Sequence, residues 1–238
     1  MPLKRTRSVT TTTMPTSMAK KLSKRGAGRR VVPKLQLLSA PGTPFPQRCR
    51  AVLKYTSYFN MDPGLGLVAR WLLRCNSVYD PDYSGAGGQP RGFDQYAALY
   101  NQYTVHASRI KMVPCLRSTG AGGQIICGIS ILPDVGSLPG VDQCADRPFT
   151  TWKTVAQQAA PRDNTVYSSW NRAKRFPKED TLASLSASIA ADPAEVEYYE
   201  FWAYSGYTPL ATNPDDFTMQ YEITYDVEFY ELKSIAPS

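Results

Sequence analysis

Residues 217–230, "FTMQYEITYDVEFY", alternate without a break. Phe217, Met219, Tyr221, Ile223, Tyr225, Val227 and Phe229 share one face; Thr218, Gln220, Glu222, Thr224, Asp226, Glu228 and Tyr230 share the other. A helix returns its apolar stripe every three or four residues, so seven successive matches to a period of two specify a β-strand with one buried face. The same period runs through "RCRAVLKYTSY" (48–58), where Cys49, Ala51, Leu53 and Tyr55 oppose Arg48, Arg50, Lys54 and Thr56. "LVARWLLRC" (67–75) sets Trp71 and Leu73 against Arg70 and Arg74, and "TVHASRIKMVPCL" (104–116) gives a third strand, interrupted or bent at Pro114. "QIICGISIL" (124–132) is β-branched and apolar on both faces, as expected of a central strand. A weak fifth strand falls in "FTTWKTVAQQ" (149–158), a sixth within "NTVYSSWNRAKRF" (164–176) and a seventh in "EVEYYEFWAYS" (195–205).

Eight strands joined by loops rich in Gly and Pro predict an all-β chain folded as a single eight-stranded jelly-roll sandwich, two Greek keys of four strands each. A length of 238 residues suits one such domain. Helix is scarce. "GFDQYAALYNQY" (92–103) spaces Phe93, Ala97 and Tyr100 for a helix, with Asp94 at its positive end, and "DTLASLSASIA" (180–190) does so with Leu182, Leu185 and Ile189 behind Asp180 as cap.

Charge is segregated. The net charge is +7, yet residues 1–34 hold ten Lys and Arg and no acid, which leaves 17 cations against 20 acids beyond them. The first acid is Asp62. A like-charged, Thr-rich segment does not bury a core, so residues 1–47, ending in the proline-broken "SAPGTPFPQ", read as a disordered arm, and 48–238 as the folded domain. The arm has no apolar face at helical spacing, which disfavours a membrane and favours a nucleic acid as its polyanion. It does not read as a secretory signal either, since no apolar run follows its basic start. The expected contacts are Lys4, Arg5, Arg7, Lys20, Lys21, Lys24, Arg25, Arg29, Arg30 and Lys34. Lys20 to Arg30 also fit a nuclear-import address. Arg50, Lys54, Arg70 and Arg74, on the polar faces of two strands that carry no acid of their own, predict a fixed basic surface added to the arm.

Chemistry is thin elsewhere. The one histidine, His106, lies within a strand, and no GxSxG elbow, GxxxxGK[ST] loop or GxGxxG turn occurs, so no catalytic residue and no cofactor are expected and the chain is read as not an enzyme. The five cysteines, Cys49, Cys75, Cys115, Cys127 and Cys144, include no CxxC pair and read as reduced, buried thiols. In "YDPDY" (79–83), Asp80 and Asp82 offer oxygens to a hard cation, but two ligands fall short of the six to eight that calcium takes; an Asx-turn fixing the loop is the favoured reading.

One long segment adds a resemblance. "NSVYDPDYSGAGGQPRGFDQYAALYNQYTVHASRIK" (76–111) resembles the coat proteins of circular, Rep-encoding single-stranded DNA viruses, in which an N-S-x-Y-D-P-D element, a G-x-Q-P turn, an F-D-Q-Y-x-x-L-Y helix and a Y-x-V strand follow one another. The ending "YEITYDVEFYELK" (221–233) is similar to their last strand. The resemblance covers the layout of the whole chain and about 50 residues in detail. It implies a single jelly roll, an arm facing inward onto the genome, sixty copies in a T=1 icosahedral shell, and no catalysis. Gly87 and Gly88 stand where relatives often carry Gly-His, which removes the basis for a proton-linked or metal role in that loop. On this reading Asp80, Pro81, Asp82 and the glycines shape the connection between the second and third strands, beside a helix from Phe93 to Asn101. The implied partners are viral single-stranded DNA, further copies of the chain and the host nuclear-import machinery, with no membrane; the implied locations are the virion and, during assembly, the host nucleus. A coat protein of a small single-stranded RNA satellite-like virus and a cellular jelly-roll binding module stay open as alternatives.

Overall fold

The computed structural model describes residues 44–62, 68–116, 124–137, 140–156, 164–176, 183–205 and 217–234. Among them are nine strands: β1 (Arg48–Met61), β2 (Val68–Arg74), β3 (Tyr100–Leu116), β4 (Gln124–Leu132), β5 (Thr151–Ala156), β6 (Val166–Asn171), β7 (Ser186–Ser188), β8 (Tyr198–Ser205) and β9 (Phe217–Leu232). Three short helices accompany them: α1 (Phe93–Leu99), α2 (Val141–Ala145) and α3 (Arg172–Arg175). One sheet has the order β1-β9-β3-β6, with β7 also paired to β3, and the other has β2-β8-β4-β5. Leaving out the three-residue β7, the antiparallel pairs β1·β9, β2·β8, β3·β6 and β4·β5 nest one inside the next along the chain. Rolling up four nested antiparallel pairs places their members alternately in two facing sheets, and the result is a jelly roll.

Strand β9 organises this arrangement. It pairs along its length with β1 on one side and β3 on the other. Phe217, Met219, Tyr221, Ile223, Tyr225, Val227 and Phe229 are all buried in one core with Leu53, Tyr55 and Phe59 of β1 and Ile129, Tyr199 and Phe201 of the facing sheet. Burying each such large side chain contributes roughly 1.5–3 kcal/mol before chain entropy is counted. Aromatic rings clasp the two sheets together: Phe59 of β1 stacks on Trp71 of β2 at 4.8 Å between centroids, and Phe201 of β8 meets Tyr221 of β9 at 6.2 Å.

Three expectations change. Pro114 does not interrupt β3; it stays in register opposite Met219. Pairing with β6 ends at Met112, so beyond that point β3 has no partner on that side among the described residues, and a residue without an N–H is tolerated there. The irregularity lies instead between Val105 and Ala107, where the β9 register shifts by one residue. This β-bulge explains why the buried set of β3 changes phase, from Tyr103 and Val105 to Ile110 and Met112. The segment 180–190 is not the expected helix: its described part turns and then forms β7 against Gln102–Thr104. Leu185, Ala187 and Ile189 also recur with a period of two, and Leu185 and Ala187 are buried. Asp180 and Leu182 lie outside the described residues. Finally, α1 ends at Leu99 rather than Asn101, because Tyr100 is already extended and begins β3.

Glycine is required at one core position. In β4, a Cβ on Gly128 would stand 2.5 Å from a ring carbon of Trp202 and 2.9 Å from Cβ of Trp152. Trp202 cannot withdraw freely, because its indole N–H donates to Ser130 Oγ at 3.1 Å. Gly128→Ala is therefore expected to cost about 1–3 kcal/mol, the range for overpacking a core. Thermal melting should read this as a loss of roughly 2–10 °C, and an unchanged midpoint would contradict the close packing of the two tryptophans.

Candidate nucleic-acid interface

The ten expected arm contacts, Lys4 through Lys34, lie outside the described residues, and so do residues 35–43 of the expected arm. Its last residues are anchored: the Tyr100 hydroxyl donates to the Pro46 carbonyl at 2.9 Å.

The four strand cations occupy two surfaces rather than one. Arg50 and Lys54 lie on the outer face of the β1-β9-β3-β6 sheet; Arg70 and Arg74 lie on the outer face of the opposite sheet. Each is met by acid from another strand or loop. Arg50 Nε donates to Asp226 Oδ1 at 2.7 Å and Lys54 Nζ to Glu222 Oε1 at 3.1 Å. Arg70 lies 3.5 Å from Glu200, and Arg74 lies 3.0 Å from Asp80 and 3.4 Å from Asp192. Strands without acids of their own thus receive them through pairing, since β9 sets Glu222 and Asp226 beside β1. Arg48, on the same face, reaches Glu228 at 3.5 Å.

Asn76 to Asp82 tie the second sheet to the rest of the body. Asn76 donates through Nδ2 to the Glu195 carbonyl at 2.7 Å and accepts the Glu197 N–H at 3.0 Å. Ser77 Oγ donates to Asp192 at 2.5 Å and lies 3.0 Å from the hydroxyl of Tyr103. Asp82 is 6 % exposed and its Oδ1 accepts the Ser84 N–H at 2.9 Å, which is the expected Asx-turn; Asp80 is engaged by Arg74. Both carboxylates hold the loop in place, and among the described residues no three His, Cys, Asp or Glu side chains converge as metal ligands. Gly87 closes the loop against β1, for a Cβ there would meet the Tyr55 hydroxyl at 2.5 Å and Asp82 Cβ at 2.7 Å.

Two fully desolvated carboxylates were not apparent in the sequence. Glu200, on the outer face of β8, is clamped by Arg147 and Arg70; burial pushes its carboxyl above the ordinary range and the two guanidiniums pull it back. Arg147 follows α2, so this clamp holds the chain just after α2 against the outer face of β8. Glu197, 3 % exposed, accepts from Arg175 and from the indole of Trp170. Neither Arg147, beside Pro148, nor Arg175, at the end of a segment read as a strand, gave any sign of its partner; only the acids among aromatic residues in "EVEYYEFW" hinted at a buried charge.

His106 sits at the β3 bulge with Nε2 2.9 Å from Glu228 Oε2. Burial lowers its pKa below the ordinary value, opposed by that hydrogen bond, so it is a neutral, satisfied strand histidine at pH 7. Cys75, Cys127 and Cys144 are buried, Cys49 is half-buried and Cys115 is exposed, so the expectation of buried thiols fails at Cys115, in the part of β3 beyond its pairing with β6. Burial pushes the Cys127 thiol up to about 12, a protonated and unreactive state.

No family model and no curated protein matches the chain. The chain is similar to several solved capsid structures at low identity. It shares 10 % identity with the decameric BFDV capsid protein, at a TM-score of 0.44, over 77 % of this chain and 99 % of that one. With turnip yellow mosaic virus it shares 7 % at a TM-score of 0.45 over 79 % and 96 %. With cocksfoot mottle virus the values are 15 % and 0.43 over 78 % and 94 %. The jelly-roll assignment stands on the strand pairing of this chain.

Proposed function

We propose that this protein is a structural coat subunit that self-assembles into a T=1 shell of sixty copies and packages single-stranded DNA without sequence preference through the cations of residues 4–34. The observation that carries the reading is the separation of charge: ten cations and no acid in the first 34 residues, against 17 cations and 20 acids in the remainder. Sixty such arms bring about 600 positive charges to one genome, a scale that offsets a substantial share of a small genome's phosphates. The body is built differently. The cations of β1 face carboxylates of β9, and the buried Glu200 and Glu197 are each held by arginine. A reader of DNA sequence needs a helix or ribbon shaped for a groove, and the described helices, of four to seven residues, are too short for that role. Assignment to a circular, Rep-encoding single-stranded DNA virus rests on the segment 76–111, whose Asn76, Ser77, Asp80 and Asp82 all make specific contacts in the fold.

Negative-stain microscopy and light scattering of the expressed protein are expected to give closed particles. Sixty times 26.4 kDa sets a protein mass of about 1.6 MDa. Nucleic acid recovered from inside them should be destroyed by DNase and resist RNase when the protein is supplied with single-stranded DNA. Material that stays monomeric in every buffer, with or without oligonucleotide, overturns the proposal.

A further inference from the structure

We infer that the cleft at the β6 edge of the sandwich is a second contact site for single-stranded nucleic acid, in which Arg109, with Lys111 outside the cleft on the same face of β3, receives phosphates and the rings of Phe149 and Tyr167 receive a base. The inference rests on the packaging role proposed above and adds to it a place on the folded body.

The cleft holds about 560 Å³ and is floored by Ile110 and Ile131, one from each sheet. That volume falls in the range of small-molecule pockets, room enough for one nucleotide unit. Arg109 and Lys111 project from the outer face of β3 and are exposed. Across the β3·β6 ladder, Arg109 stands opposite Ser169 and Lys111 opposite Tyr167. On the other side, Lys111 faces Glu222, but that carboxylate is engaged by Lys54 at 3.1 Å. The three β1 cations of this sheet, Arg48, Arg50 and Lys54, are all matched by β9 acids; Arg109 and Lys111 make no ion pair among the described residues. No carboxylate lines the cleft.

The rings point the same way. Phe149 is 61 % exposed and Tyr167 59 %, unusual for large aromatic side chains that border a core. Phe149 also holds a backbone φ of 60°, a conformation a bulky residue adopts only under constraint, and such constraint concentrates at binding sites. Its ring is backed by the guanidinium of Arg175, 4.5 Å from the centroid, and Arg175 is itself fixed by Glu197. An exposed ring in one cleft with Arg109, a cation in no ion pair among the described residues, and with the Ser168 hydroxyl fits a base with its phosphate; every base offers a face to stack on, so no sequence preference follows. An apolar protein surface would leave both cations without counter-charge.

The test uses the full chain and a twelve-residue oligodeoxynucleotide carrying 5-iododeoxyuridine, irradiated and mapped by mass spectrometry. Adducts are expected at Phe149 or Tyr167 as well as in residues 1–34. R109Q with K111Q, exposed strand substitutions, should reduce the cleft adducts by roughly tenfold and leave the arm adducts unchanged. Adducts confined to residues 1–34 overturn the cleft and leave the packaging role intact; absence of binding by the whole chain removes both. Protection of Phe149 and Tyr167 from solvent labelling in particles assembled without nucleic acid also overturns it, because the occupant is then a second copy of the chain.

Discussion

Replacing all ten Lys and Arg of residues 1–34 by Gln in the full chain is expected to abolish most of the salt dependence of single-stranded DNA binding. Each phosphate neutralised on a single strand releases about 0.7 of a counterion, so ten contacts give a slope near −7 in a plot of log affinity against log salt. Between 50 and 200 mM salt the unmodified chain should therefore weaken by about four decades, and the neutralised chain by about one. The body carries 17 cations against 20 acids, and much of its cation charge on β1 is already matched. Arg48, Arg50 and Lys54 face Glu228, Asp226 and Glu222, and a cation already matched by a carboxylate gains little by exchanging it for a phosphate. Arg109 and Lys111 leave a residual slope of about −1 to −2. Fluorescence anisotropy across a salt series reads both chains directly. If the neutralised chain keeps the full slope, binding belongs to the body and the electrostatic argument for a packaging arm fails.

The contrast between arm and strand cations marks where sequence reading reaches and where it stops. Period-two alternation in β9 survives into the structure residue by residue because a central strand with one buried face admits no other phase. The β3 bulge is also written in the sequence, as a change of apolar phase between Val105 and Ile110, but it is masked by His106 and Ala107, which satisfy either phase. In 182–189, helical and strand periods coincide on Leu185 and Ile189, and only pairing with Gln102–Thr104 selects the strand. Ion pairs are less legible. Arg50 and Asp226 are separated by 176 residues and Lys54 and Glu222 by 168, so a strand that looks purely basic in isolation is neutralised by a neighbour that no local window contains. The Asp82 turn was readable because its partner, Ser84, is two residues away. Phe149 gave no signal, since neither its positive φ nor its contact with Arg175, 26 residues on, is marked by its neighbours in sequence.

Long-range pairing also sets the largest stability effect expected in the body. Glu197, just before β8, accepts Arg175 Nε at 2.8 Å from the end of α3, and the indole N–H of Trp170 in β6, while its own N–H and carbonyl are held by Asn76 and Cys75. One residue thus joins, through its carboxylate, the β6 edge of one sheet and, through its backbone, Cys75 and Asn76 beside the other. Glu197→Leu removes the acceptor and keeps the bulk. It strands the Arg175 guanidinium, 17 % exposed, and the N–H of a fully buried tryptophan. Breaking a buried pair by removing one partner costs about 3–5 kcal/mol, more than deleting both. For a domain of this size the melting midpoint should fall by on the order of 10 °C. The pairing account makes a sharper demand on double substitution. Arg175→Met added to Glu197→Leu should restore part of the loss, because the uncompensated charge disappears, whereas Arg175→Met alone leaves a buried carboxylate and should destabilise. A Glu197→Leu chain that melts within about 2 °C of the parent, or a double variant no better than the worse single one, would show that Arg175 and Trp170 find other partners and that the two sheets do not depend on this carboxylate.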